Sequence, residues 1–151
     1  MRPRVLLLLL CPIVAWACVV VASEVLHGPI TAQVVRVIDG DTIEVRARIW
    51  LGQEVEIKVR LDGADAPELK GRCAAERQRA QEARTFVETR IAGKPVALTD
   101  VRYDKYGARV VARVADASGA NLSDALIARG LAHAYDGKAH RAPWCPVGTT
   151  P

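Results

Sequence analysis

The chain has 151 residues and a formal net charge of +4, with 21 Lys or Arg residues against 17 Asp or Glu residues. This length argues against a multidomain protein but suffices for one domain with a real core. The charge excess is too small to attract nucleic acid through the field of the whole molecule, so any phosphate binding must come from local clusters of cations.

The N-terminus has a charged start, Met1–Arg4, followed by an apolar run from Val5 to Ala22. This pattern predicts a signal peptide over residues 1–23 and hence a secreted or periplasmic protein. The run is also long enough to be an uncleaved anchor, in which residues 5–22 hold the protein on the outer face of the membrane. Lipidation at Cys18 is a third alternative. Residues 24–30 are predicted to be a linker and residues 146–151 a C-terminal tail.

Alternating apolar and polar residues predict three strands, over 31–38, 42–51 and 54–61, with Gly52-Gln53 at the tip between the last two. One face of the second and third strands is apolar throughout, which predicts that both line the interior of a barrel. The residues of that face are Ile43, Val45, Ala47, Ile49, Leu51, Val55, Ile57, Val59 and Leu61.

From Cys73 to Ala92 the period changes to about 3.6 residues, which predicts a helix that packs by one apolar stripe. Strands over 95–101 and 109–115 follow, and then a second helix over 122–129. This order predicts an α+β fold that is mainly β, a five-stranded OB-type Greek-key barrel with two or three helices over residues 31–145. The charged face of the first helix is predicted to be solvated, namely Glu76, Arg77, Arg79, Glu82 and Arg84.

Two cysteines, Cys73 and Cys145, lie outside the leader. In an exported domain such a pair predicts one disulfide, which would tie the C-terminal tail to the start of the first helix. A loop of about 70 residues closed in this way stabilises a fold by roughly 4 kcal/mol in the chain-entropy model. The alternative is two free thiols, whereas zinc is disfavoured because no pair of histidines accompanies the cysteines.

Ionisable groups are concentrated where the third strand ends, in Arg60-Leu61-Asp62-Gly63-Ala64-Asp65-Ala66-Pro67-Glu68. Arg60 is predicted to point to the face opposite the apolar residues, while Asp65 and Glu68 lie in a loop where they can converge. A guanidinium beside two carboxylates suits a phosphodiester and a hard cation.

Two further turns carry ionisable groups, Asp39-Gly40-Asp41 and Asp104-Lys105-Tyr106-Gly107-Ala108-Arg109. In order and spacing, these turns and the segment 60–68 resemble the staphylococcal nuclease (thermonuclease) family, over about residues 31–135. The resemblance implies the same barrel, with an SNase-like domain over 31–145. It also implies an exported, Ca²⁺-dependent nuclease that cleaves DNA and RNA and leaves 3′-phosphate ends.

The same resemblance implies roles for individual residues. Ca²⁺ would be held by Asp41, Asp65 and the backbone carbonyl of Ala66, all hard oxygen ligands. Glu68 would be the general base that activates water, and Arg60 would bind the phosphate by a two-pronged contact.

Other residues are predicted to contact the nucleotide, to support the metal ligands or to pack within the fold. The resemblance implies that Lys105, Tyr106 and Tyr135 contact the nucleotide, although both tyrosines could instead pack within the fold. Asp39 is predicted to support its turn or a metal ligand and not to bind the ion directly. The three histidines lack metal-ligand spacing and are predicted to pack or to lie at the surface: His27, His133 and His140.

The chain departs from the family pattern after Gly107, where the family has Arg and this sequence has Ala108. One inserted residue would make Arg109 the second phosphate-binding arginine, and strand alternation favours this because the apolar residues that follow then face inward together. In the gapless alternative the position is Ala108, and the second arginine is missing.

The competing function is a catalytically silent module of the same fold that binds nucleic acid or protein. A small anchored envelope protein whose barrel binds another ligand is a third alternative. The sequence favours the enzyme because Asp41, Arg60, Asp65 and Glu68 are all present. We expect a monomer. It would associate with a membrane only if the leader is retained.

Overall fold

The computed structural model describes residues 24–138 and 142–145. The predicted leader with Cys18, the histidine at 140 and the tail 146–151 lie outside this part of the chain. Within the described residues, no helix is both long enough and apolar enough to cross a bilayer.

The described part of the chain forms eight strands and two helices. They are β1 (Val25–Leu26), β2 (Ile30–Asp39), β3 (Thr42–Trp50), β4 (Gln53–Leu61), β5 (Ala64–Asp65), α1 (Ala74–Ile91), β6 (Val96–Tyr103), β7 (Arg109–Ala115), α2 (Leu122–Ala128) and β8 (His133–Ala134).

Five of these strands close into a barrel, which confirms the predicted α+β fold. β2 pairs with β3, β3 with β4, and β6 with both β2 and β7, all antiparallel. The ring is completed by β4 and β7, which run parallel because α1 and β6 lie between them in the chain. Within segment 24–30, Val25 and Leu26 form β1 on the edge of β6.

The barrel interior contains the inward residues of β3 and β4 only as far as the barrel extends. Ile43, Val45 and Val59 are fully buried. Ile49, Leu51 and Val55 were predicted to be inside, but they are 53%, 88% and 39% exposed. The β3–β4 hairpin extends beyond its pairing with β2 and β7 at this end. Apolar and polar residues still alternate along the hairpin there, but its apolar face is not covered by the barrel.

Helix α1 closes one side of the barrel and lies against the turn between β2 and β3. Its buried stripe contains Ala80, Ala83, Val87 and Ile91. A Cβ on Gly40 would lie 2.7 Å from the Cβ of Ala83, so only glycine allows the turn to approach the helix this closely. The turn that carries Asp41 is therefore held against a rigid element.

Polar side chains near the start of each helix accept backbone N–H groups. Asn121 caps α2 by accepting the backbone N–H groups of Ser123 at 2.8 Å and Asp124 at 3.2 Å. The predicted solvated face of α1 is wrong at Glu76, which is buried because its Oε2 accepts the backbone N–H of Arg72 at 2.9 Å.

Cys73 and Cys145 form a disulfide, as the sequence predicts. Their Cα atoms are 6.0 Å apart, and their positions in the sequence differ by 72. The bond ties segment 142–145 to the first turn of α1, where Cys73 is the N-cap.

Candidate active site

The guanidinium of Arg60 joins two buried carboxylates, one from the turn between β2 and β3 and one from β5. Its Nη1 donates to Asp41 Oδ1 at 2.9 Å, and its Nη2 donates to Asp65 Oδ1 at 3.1 Å. The side chains of Arg60, Asp41 and Asp65 are only 11%, 5% and 3% exposed. The residues predicted to bind phosphate and metal therefore lie in one buried cluster at the end of β4.

Asp41 is held in place by its neighbours on both sides. Its Oδ2 accepts the backbone N–H of Ala66 at 2.8 Å, and its Oδ1 accepts the Thr42 hydroxyl at 3.1 Å. Asp39 accepts the backbone N–H of Asp41 at 3.2 Å, so its carboxylate supports the turn. The pKa of Asp41 is raised to about 6. Burial is the main cause, and the charge of Asp39 acts in the same direction, whereas Arg60 opposes the rise.

Asp65 and Ala66 are fixed by the short strand β5. Asp65 is the cross-strand partner of His133 in β8. Asp65 and Ala66 line a cavity of about 400 Å³ together with Glu68. We call it the tail cavity, because segment 142–145 forms one wall; its other polar or aromatic lining residues include Lys70, Arg72, Glu76 and Trp144.

Glu68 lines the tail cavity and is exposed. Its backbone carbonyl accepts the N–H of Gly71 at 2.8 Å, which closes a tight turn directly after the carboxylate. The predicted base thus shares one cavity with two of the three predicted metal-binding residues, Asp65 and Ala66.

The residues predicted to contact the nucleotide line a second cavity, of about 170 Å³. We call it the tyrosine cavity, and its lining includes Arg60, Lys105, Tyr106, Arg109 and Tyr135. Tyr106 is 69% exposed, so it does not simply pack within its turn. The Nζ of Lys105 lies 5.1 Å from the Tyr106 ring centre, which places a cation and an aromatic face together at the entrance.

Arg109, and not Ala108, lines the tyrosine cavity beside Arg60. Gly107 and Ala108 both have positive φ, 64° and 52°, so the chain makes an extra left-handed step before β7 begins. Arg109 then forms an ion pair with Asp104, and its guanidinium carbon lies 5.5 Å from the centre of the Tyr106 ring. The assignment of Arg109 as the second phosphate-binding arginine stays a prediction.

The sequence reasoning missed Arg102, which also lines the tyrosine cavity. Its guanidinium donates to both carboxylate oxygens of Asp62, at 2.6 and 3.1 Å. A register shift in β6 lies between Thr99 and Arg102, and Asp100 within it has φ of 52°. Simple alternation along β6 therefore could not indicate where Arg102 points.

Three metal-ligand side chains lie within 4.8 Å of one another at only one place among the described residues. That place is Cys73, Glu76 and Cys145, where both sulfurs are committed to the disulfide. The Arg60 cluster offers two carboxylates, Asp41 and Asp65, with the backbone of Ala66 beside them.

Comparisons with known proteins agree on one family. The family model described as "Staphylococcal nuclease homologue" matches residues 58–143, more than half of the chain. Two curated relatives, from Escherichia coli and Escherichia coli O157:H7, are each 33% identical over 115 residues, which is 74% of this chain. Both are named "Uncharacterized endonuclease". The match spans 65% of the length of each relative.

Proposed function

The chain belongs to the family of staphylococcal nuclease homologues, and from this premise we propose that it is a Ca²⁺-dependent nuclease that hydrolyses phosphodiester bonds of DNA and RNA. The observation that carries the proposal is the buried cluster in which Arg60 holds Asp41 and Asp65, with Glu68 at the rim of the adjoining cavity. The name of the curated relatives supports cleavage within a strand.

The residues of the cluster fit a hard divalent cation. Asp41 and Asp65 bring two buried carboxylates to the Arg60 guanidinium, and the carboxylate of Asp39 lies next to Asp41, whose backbone N–H it accepts. The raised pKa of Asp41 has burial as its main cause, which means that its negative charge is incompletely compensated. We propose that Asp41, Asp65 and the carbonyl of Ala66 hold Ca²⁺, which when bound would neutralise charge on the phosphoryl oxygens.

The remaining steps belong to the side chains. Glu68 takes a proton from the attacking water, because an exposed carboxylate can exchange that proton with solvent afterwards. Arg60 and Arg109 bind the non-bridging oxygens of the phosphate and stabilise the charge that develops on them. If hydrolysis follows the family, the phosphate stays on the 3′ side.

We also propose that the protein is exported and works as a monomer. The disulfide between Cys73 and Cys145 supports export, because such bonds persist in oxidising compartments.

The test is a cleavage assay with single-stranded DNA and RNA, using the full chain with its disulfide intact. We expect cleavage with Ca²⁺ and none after full chelation. Glu68→Gln should lower turnover by roughly 10²-fold or more, the usual scale for a general base. The control is Glu82→Gln, which neutralises an exposed carboxylate on α1 and should leave turnover unchanged.

Two results would count against the proposal. Cleavage that survives full chelation would reject the metal assignment. A wild-type protein that binds nucleic acid but never cleaves it would instead support the catalytically silent module.

A further inference from the structure

The tyrosine cavity and the tail cavity meet at β5. Ala64 lines the first, and Asp65, the next residue, lines the second. The Nη2 of Arg60 lies 3.5 Å from the Ala64 carbonyl and 3.1 Å from Asp65 Oδ1, so the guanidinium lies at the junction. A phosphate bound by Arg60 would therefore lie between the two cavities. Because a phosphodiester joins two nucleosides, a substrate held there must extend in two directions.

The tail cavity has the chemistry that a strand of nucleic acid requires. Lys70 and Arg72 are exposed at its rim, and Trp144 contributes an aromatic surface to its lining. In binding sites for single strands, cations follow the backbone phosphates and aromatic side chains contact the bases. The cavity volume of about 400 Å³ lies within the range of roughly 300–1,000 Å³ that is usual for small-ligand clefts.

The loop that carries both cations is held by helix α1. Glu76, which is buried, accepts the backbone N–H of Arg72 at 2.9 Å, and Glu68 accepts that of Gly71 at 2.8 Å. A Cβ on Gly71 would lie only 2.4 Å from Cδ of Glu76, so a side chain there would displace the Glu76 carboxylate. The backbone of the loop is thus fixed, while the two basic side chains stay in solvent.

The opposite wall is fixed by a covalent bond and by a ring stack. Cys145 is bonded to Cys73, and the neighbouring Trp144 stacks on His133 with 3.8 Å between ring centres and 8° between planes. His133 pairs in register with Asp65. The wall is therefore connected to the strand that carries a proposed metal ligand.

We propose that the tail cavity is the second nucleotide subsite, which binds the nucleoside and flanking phosphate on the side of the scissile phosphate away from the tyrosine cavity. The inference rests on the proposed nuclease function. It gives the disulfide a second role, because the bond holds part of the substrate site in place in addition to stabilising the fold.

The test compares a ligand that fills one subsite with a ligand that spans both. The short ligand is a nucleoside 5′-monophosphate, and the long one is a single-stranded octanucleotide with phosphorothioate linkages to slow hydrolysis. The double variant Lys70→Ala/Arg72→Ala should bind the octanucleotide about tenfold more weakly or worse and bind the monophosphate as wild type does. Two lost phosphate contacts should also reduce the slope of log K against log salt by about 1.4.

Three further variants make the comparison specific. Lys105→Ala, in the tyrosine cavity, should weaken binding of both ligands. Trp144→Ala should weaken only the octanucleotide, with its melting temperature measured in parallel. Lys94→Ala removes an exposed cation from outside both cavities and should change neither affinity.

The inference is overturned if the double variant binds the octanucleotide as wild type does at the same salt concentration. It is also overturned if both ligands weaken equally, because the two basic residues would then act on the shared phosphate site. A wild-type protein that neither binds nor cleaves nucleic acid would reject the nuclease proposal itself, which is a different result.

Discussion

Arg60→Met tests whether one guanidinium compensates the two buried carboxylates. The substitution keeps most of the side-chain volume but leaves Asp41 and Asp65, 5% and 3% exposed, without their cation. Removing one partner from a buried ion pair destabilises proteins by about 3–5 kcal/mol. Because the pKa of Asp41 is already raised to about 6, its carboxyl can take up a proton and relieve part of this loss. We therefore expect the free energy of unfolding at neutral pH to fall by about 3 kcal/mol.

The assay is urea unfolding of the full chain with a chelator and with saturating Ca²⁺. A cation bound between the carboxylates replaces the missing charge, so Ca²⁺ should stabilise the variant more than it stabilises the wild type. The matched control is Arg113→Met, since the Arg113 side chain is 64% exposed and its contact with Asp100 spans 3.8 Å. We expect this control to stay within about 0.5 kcal/mol of wild type.

Two outcomes would refute the reasoning. An Arg60→Met protein as stable as wild type in the chelator would mean that the guanidinium does not compensate the carboxylates. A loss of stability that Ca²⁺ does not reduce would mean that the ion binds elsewhere.

Three other predictions follow from the same structure. Arg109→Ala should slow hydrolysis by about 10²-fold to 10³-fold with little loss of stability, whereas Arg113→Ala should be nearly silent; an equally small effect of both in an active enzyme would favour the gapless alternative. Hydrogen bonds, first that from the Ser118 hydroxyl, hold the pKa of Asp116 below its usual range. Its stabilisation is therefore complete above about pH 4 and is lost as the pH falls through the lower folded value. Asp116→Asn should cost about 1–3 kcal/mol in urea unfolding at pH 7 and much less near pH 2, and an equal loss at both pH values would contradict this. Cys145→Ser should reduce the free energy of unfolding by about 4 kcal/mol and so lower the melting temperature, and a dithiol reductant should then have no further effect on the variant; an unchanged melting temperature would show that the bond contributes nothing to stability.

The order of strands along the chain and the positions of the turns could be predicted, because both depend on patterns among neighbouring residues. The apolar alternation of β4 correctly indicates that Val59 and Leu61 are buried, and they are 0% and 1% exposed. The turns at Asp39-Gly40-Asp41 and at Asp104 lie where glycine and aspartate predict them. The disulfide was predicted from the count of cysteines and from the expected compartment.

Other features depend on what lies opposite a residue, which no local pattern records. Alternation alone treats Ile49 and Val59 alike, yet one is 53% exposed and the other is buried, because the hairpin extends past the barrel. Glu76 lies on the charged face of α1 but is buried by the loop at Arg72. Arg102 lines the tyrosine cavity after a register shift in β6, and no local sequence pattern predicts that shift.

The sequence by itself therefore determined the barrel and the short list of residues that suit a phosphodiester, since periodicity, turn residues and motif spacing are local properties. Tertiary structure alone decided that Arg60 bridges Asp41 and Asp65, and that Asp65 lines a cavity together with basic residues. The reason is physical: distances between residues far apart in the chain, and the burial that raises the pKa of Asp41, exist only after the strands have closed.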